Sequence, residues 1–143
     1  MTEALSKIIR RFQASDKQTR LELLLDYSKK LPPLPEKYHP ARDQGLNRVP
    51  ECQSPVFLFM ERSDDGIVLH ADAPREAPTV RGFVSLLTKG LSGASAAEAQ
   101  ALPGDLLDQL GLSEALGMTR MHGLTAMVGR IRRMAGELTV PGA

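Results

Sequence analysis

At 143 residues, with 42% hydrophobic and 24% charged side chains, the chain has the size and composition of one ordinary globular domain, which excludes a disordered or fibrous architecture. A formal net charge of +1, 4% aromatic residues and no Trp leave neither the basic footprint nor the stacking platforms on which nucleic-acid binding rests. No apolar run approaches the ~20 residues that span a bilayer, and a lone cysteine excludes an internal disulfide, so residues 1–143 read as one cytoplasmic domain with no membrane partner and a free thiol.

Leu5, Ile8, Ile9 and Phe12 share one face of a short amphipathic helix behind Thr2 and Glu3. "SDKQ", from Ser15 to Gln18, has the form of a capping box. Leu21, Leu24, Leu25, Ser28 and Leu31 follow at helical spacing, which predicts a second helix over about residues 16–31 with Lys29 and Lys30 in its last turn. Pro32, Pro33, Pro35 and Pro40 remove backbone donors from the next stretch, which reads as an extended, irregular connector running to the cysteine.

"PVFLFMER" and "GIVLHADA" flank "SDDG" and predict a β-hairpin, its turn residues tolerant of left-handed geometry. The first strand is apolar on both faces and is expected to lie centrally, covered by helices on at least one side, with a third strand completing the sheet. Pro78 suits the first turn of a helix whose stripe is Val80, Phe83, Val84, Leu87 and Leu91, ending near Gly90 or Gly93. Short helical pieces follow, broken at Pro103, Gly104, Gly111 and Gly117. The last long helix, from Thr119 to about Glu137, turns Met121, Leu124, Val128 and Ile131 inward, with Met127 and Met134 beside them. Helices, hairpin, helices is the order of an α+β fold: a small antiparallel sheet packed with helices from both ends of the chain.

Chemistry narrows to Cys52. His39, His70 and His122 are dispersed and offer no metal-ligand spacing, and the chain carries no phosphate-cradling glycine loop, GxSxG elbow or HExxH. Cys52 is either a small buried hydrophobe or a reactive group on a proline-limited loop at the mouth of the hairpin. Glu51 beside it raises the thiol pKa, whereas a cation brought near by the fold lowers it; Arg120, at the start of the last helix, is the candidate. A cysteine hydrolase would need His70 or His122 within hydrogen-bond reach of Cys52. A non-catalytic interaction module would dock through Arg130, Arg132 and Arg133 and leave the cysteine inert.

Residues 47–57, "NRVPECQSPVF", resemble the Asn-x-Val-x-Gly-Cys-x-Ser-x-Val-Trp signature of the SufE-type (SufE/CsdE) cysteine desulfuration proteins. "EAPTVRGFVSLL" is similar to the family's acidic residue and Ala-x-x-Val-x-Gly helix start, and "TRMHGLTAMVGRIRRMA" to its (Ser/Thr)-Arg-x-x-Gly-Leu-x-x-Met helix. The likeness runs from about residue 8 to 135.

This resemblance implies that Cys52 receives persulfide sulfur from a pyridoxal-phosphate cysteine desulfurase of the SufS/CsdA type, stimulates that enzyme, and passes the sulfur to an iron–sulfur scaffold of the SufBCD type. The chain would be a carrier and activator with no cofactor or metal of its own, the pyridoxal phosphate belonging to the partner. Arg120 and Glu76 are matched polar positions in support, and Asn47, Glu51, Gln53 and Ser54 shape the loop. Glu51 stands where the family has glycine, adding charge and giving up backbone freedom, and Phe57 where it has tryptophan. A carrier benefits from having no second cysteine, because a resolving thiol would release the sulfur and close a disulfide.

Overall fold

Thr2 sets the first helix, α1 (Glu3–Gln13): its hydroxyl accepts from the Leu5 amide and donates to the carbonyl of Gly90, so one side chain caps the helix and ties it to a distant part of the chain. The computed structural model describes residues 1–139. Helix α2 (Lys17–Ser28) begins one residue later than its expected cap: Asp16, not Ser15, accepts from the Thr19 amide. Its inward face also differs from the expected stripe. Leu23 and Leu24 are buried and Leu25 is exposed, while Lys29 and Lys30 lie past the last turn.

The segment expected to be an extended connector folds instead. A 3₁₀ turn (Glu36–Tyr38) leads into α3 (His39–Asp43), where Pro40 occupies the first turn and its missing N–H costs nothing. This short unit covers the outer face of strand β1 (Phe57–Ser63): Leu34, Tyr38 and Ala41 pack with Phe57 and Phe59, and the rings of Tyr38 and Phe59 stack at 4.5 Å. Lys37 pairs with Glu61 at 2.9 Å and Arg42 with Asp72 at 3.1 Å, fastening it to the hairpin.

Strand β2 (Gly66–Asp72) pairs antiparallel with β1, Phe57 opposite Asp72 and Ser63 opposite Gly66. The positive φ of the turn falls on Gly66, not on Asp64 or Asp65. The expected third strand is reduced to a single bridge of Arg48 with Phe57. Pairing stops there because the left-handed Asn47 gives the Leu58 carbonyl its side-chain amide in place of a ladder N–H, and the Val49 carbonyl is taken by the Cys52 amide of its own loop. β1 is covered on both faces as its composition requires: Leu58 points into the main core while Phe57 and Phe59 face the 3₁₀–α3 unit.

Helix α4 (Pro78–Gly90) is the centre of the main core, with Val80, Phe83, Val84, Leu86 and Leu87 buried. It touches α2 backbone to backbone at Gly82, where a Cβ would stand 2.1 Å from the Leu24 carbonyl oxygen. Helices α5 (Ala96–Gln100), opened by a Ser95–Glu98 capping box, and α6 (Leu106–Gln109) pack under α7 (Met118–Thr139), which buries Leu124, Met127, Val128, Ile131 and Ala135. Met121 and Met134 are half-buried at its edges. Among the described residues no helix is long and apolar enough to cross a membrane.

Candidate functional site

The cysteine loop is closed at its neck. Asn47 adopts φ 63°, a left-handed conformation that asparagine tolerates, and its side-chain amide donates to the Leu58 carbonyl at 2.9 Å. The Leu58 amide donates to the Asn47 carbonyl at 3.1 Å, and the Val49 amide to the Val56 carbonyl at 2.9 Å, with both valines fully buried. Inside the neck, the Cys52 amide donates to the Val49 carbonyl at 3.2 Å and closes a turn with Pro50 and Glu51 at its centre. Asn47 is the one non-glycine residue with positive φ among the described residues, so Glu51 occupies its turn position without left-handed strain. Its effect on the site is therefore one of charge.

The loop carries the thiol inward. Cys52 is 6% exposed, so of the two sequence readings the burial is found, and it is found on the loop at the mouth of the hairpin. It rests on the bare backbone of α7 at Gly123: a Cβ there would stand 3.1 Å from the Cys52 sulfur, 3.3 Å from its Cα and 3.4 Å from the Glu51 carbonyl oxygen. Glycine inside a helix costs about 1 kcal/mol against alanine, and here that cost is matched by the close approach of the loop.

Beside the sulfur lies a cavity of about 320 Å³. Cys52, Gln53 and Ser54 line one side, Glu76 to Val80 at the start of α4 a second, and Thr119, Arg120, Gly123 and Leu124 at the start of α7 a third. Two helix N-termini thus converge on one space, and α4 enters it without a side-chain cap, leaving first-turn amides free of helical partners. Glu76 and Arg120 are both exposed at this cavity. Asn47 is not part of it; it works at the neck.

Burial, and then the neighbouring Glu51 charge, push the Cys52 thiol up to about 11 from its ordinary 9.0. Arg48 opposes them. It reaches across the loop to donate to the Gln53 carbonyl at 3.4 Å, so the cation that acts on the resting thiol is Arg48, while Arg120 shares the cavity.

The histidines are elsewhere. His70 is 2.6 Å from a Glu61 carboxylate oxygen, His39 is 2.9 Å from the Leu34 carbonyl, His122 is exposed, and none of the three lines the thiol cavity. The geometry gives a cysteine hydrolase no base. Among the described residues no three His, Cys, Asp or Glu side chains assemble a metal-holding group. The basic run of the last helix is split: Arg132 donates to the Gln100 carbonyl at 3.3 Å, whereas Arg130 and Arg133 line a separate cavity.

Sequence reasoning passed over Gly123, Arg48 and the uncapped start of α4. Gly123 had a readable signal, a glycine in the interior of a long helical pattern. Arg48 had none beyond its nearness in the chain to Cys52.

A family model described as "SufE: Fe-S metabolism associated domain" matches residues 6–135. A SufE-like protein of Mycobacterium tuberculosis H37Rv, itself described as uncharacterized, is 42% identical over 134 residues, covering 93% of this chain and 92% of the relative. The sulfur acceptor protein CsdE of Escherichia coli K12 is 32% identical over 116 residues, 80% of this chain and 74% of that protein. Among solved structures, the solution structure of a hypothetical protein from Thermus thermophilus superposes with a TM-score of 0.82 at 32% identity, covering 96% of this chain and 97% of that one.

Proposed function

The chain belongs to the SufE family, and on that premise we propose that Cys52 accepts persulfide sulfur from a cysteine desulfurase and passes it to an iron–sulfur scaffold of the SufBCD type. The observation that carries this reading is the placement of the chain's one thiol at a cavity bounded by two helix N-termini. A thiolate at Cys52 attacks the outer sulfur of the donor's persulfide. A new S–S bond forms at Cys52, the donor's S–S bond breaks, and the donor cysteine leaves as a thiolate that takes up a proton. No electrons are gained or lost overall. The pyridoxal phosphate that frees the sulfur from cysteine is assigned to the donor enzyme.

The product is an anion, and the cavity suits it. The first turns of α4 and α7 and the Arg120 guanidinium supply positive potential, while Val80 and Leu124 shield the terminal sulfur from water and stray thiols. Replacing Arg120 with methionine is expected to slow sulfur uptake from a persulfidated desulfurase about tenfold, the scale of one charge-assisted contact, without altering alkylation of the free thiol. Equal uptake rates would remove Arg120 from the site.

Resting chemistry is suppressed by the same burial. With a pKa of about 11, the thiol holds roughly a hundredfold less thiolate at neutral pH than an ordinary cysteine. The midpoint of Cys52 alkylation rate against pH is therefore expected near 11, and Glu51→Gln is expected to lower it only in part, because burial is the larger cause. The corresponding stability runs the same way: the raised thiol stabilises the fold fully below pH 9.0, and that contribution is lost as pH rises through about 11. A Cys52→Ala variant lacks that loss. An alkylation midpoint near 9 in the parent chain would contradict the burial argument.

A cysteine that is 6% exposed cannot be reached in line by another protein's persulfide, so docking displaces the segment inside the Val49–Val56 neck. Met118, 90% exposed where α7 begins, adjoins the cavity-lining Thr119 and Arg120 and offers an apolar contact to the partner on that rim.

A further inference from the structure

A second cavity, of about 520 Å³, lies between β1 and the C-terminal half of α7 and shares no lining residue with the thiol cavity. Its apolar wall is built from Tyr38, Phe59, Met60 and Met134, and Arg130 and Arg133 stand along it. The Nε of Arg130 is out of contact with solvent and has no hydrogen-bond partner, so part of this guanidinium's hydration has been stripped with nothing in its place. Neither Arg130 nor Arg133 forms an ion pair among the described residues, although Glu137 also borders the space.

We propose that this cavity is a binding site for a small organic monocarboxylate with a flat apolar body. The volume is in the range of small-molecule sites, and the lining is mixed, with apolar side chains beside Asn47, Arg130, Arg133 and Glu137, which suits a ligand that has both a charged group and an apolar body. A carboxylate offsets the desolvated Arg130 and pairs with the fork of a guanidinium, while the apolar body covers the wall that Tyr38 and Met134 expose. An inorganic anion would leave that wall wet. Glu137 opposes a second negative charge, which selects a monoanion over a phosphate ester. The site uses neither Cys52 nor its cavity, although Asn47, at the neck of the cysteine loop, also borders it.

The test uses the full chain and three probes: 3-phenylpropionate, the neutral 3-phenylpropanol and the dianionic phenyl phosphate, each titrated while backbone amide shifts are followed. The carboxylate is expected to give saturable shifts at Tyr38, Phe59, Met60 and Met134, with much weaker responses to the other two. Arg130→Met should weaken its binding about tenfold or more, the scale of a charge-assisted pair. Arg133→Gln, at an exposed position that leaves the fold unchanged, is expected to weaken it in the same direction. Binding of the alcohol or phosphate ester as tight as that of the acid, shifts that map elsewhere, no saturable binding, or affinity unchanged in both arginine variants would each overturn the proposal.

Discussion

Replacing Cys52 with serine is expected to abolish stimulation of a cysteine desulfurase, measured as alanine released per enzyme while the chain is titrated in. The loss should be complete, because the chain holds no other cysteine to accept sulfur. The substitution places a hydroxyl where a 6%-exposed thiol lies, and an unpartnered buried hydroxyl costs about 1–3 kcal/mol. Cys52→Ala removes that complication, since alanine at a small buried position leaves only a small void. Both variants should melt cooperatively and fail to stimulate. Stimulation by either, at the parent level, would show that the chain activates its partner without accepting sulfur and would return the reading to an interaction module.

The second large effect is expected at Gly123. A Cβ at this position already stands 3.1 Å from the Cys52 sulfur, tighter than ordinary van der Waals contact, and the branched carbons of valine reach further into the loop. Gly123→Val therefore forces Cys52 off α7. Overpacking of this kind costs about 1–3 kcal/mol, which a denaturation midpoint reads directly. The displaced thiol returns to water, its pKa falls toward 9.0, and its alkylation at neutral pH is expected to rise at least about tenfold. A valine variant with the parent's alkylation rate would contradict the claim that Gly123 is the seat on which the thiol is sequestered.

These two positions mark where the sequence was legible and where it was not. The stripe of α4 and the inward face of α7 follow from periodicity, because each is long enough for its apolar residues to fix one register, and the hairpin follows from its turn residues between two strand-forming runs. α2 was displaced by a residue at its start, since Ser15 and Asp16 are both good caps and only the tertiary fold decides which reaches Thr19. The proline-rich segment looks structureless in sequence because proline ordinarily breaks a helix. Its helical turns place Pro40 where no donor is needed, and they are held by Tyr38 against Phe59, a contact between elements that no local pattern reports.

At the site, the motifs around Cys52, Glu76 and Arg120 are far apart in the chain, yet the fold brings all three to one cavity. Whether the thiol is buried is the part that the sequence leaves open. It depends on the absence of a side chain at Gly123 and on the neck made by Asn47, Val49, Val56 and Leu58, both long-range features. The concern that Glu51 would distort the loop also required the backbone to resolve: the turn keeps negative φ at that residue, so glutamate changes the electrostatics and not the shape.

The most direct test is the intact mass of the chain after incubation with a cysteine desulfurase, pyridoxal phosphate and cysteine in the absence of reductant. The account predicts a gain of one or more sulfur atoms, reversed by reduction and absent in Cys52→Ser. An unchanged mass, with a desulfurase that is itself persulfidated under the same conditions, would contradict the assignment of Cys52 as a sulfur acceptor.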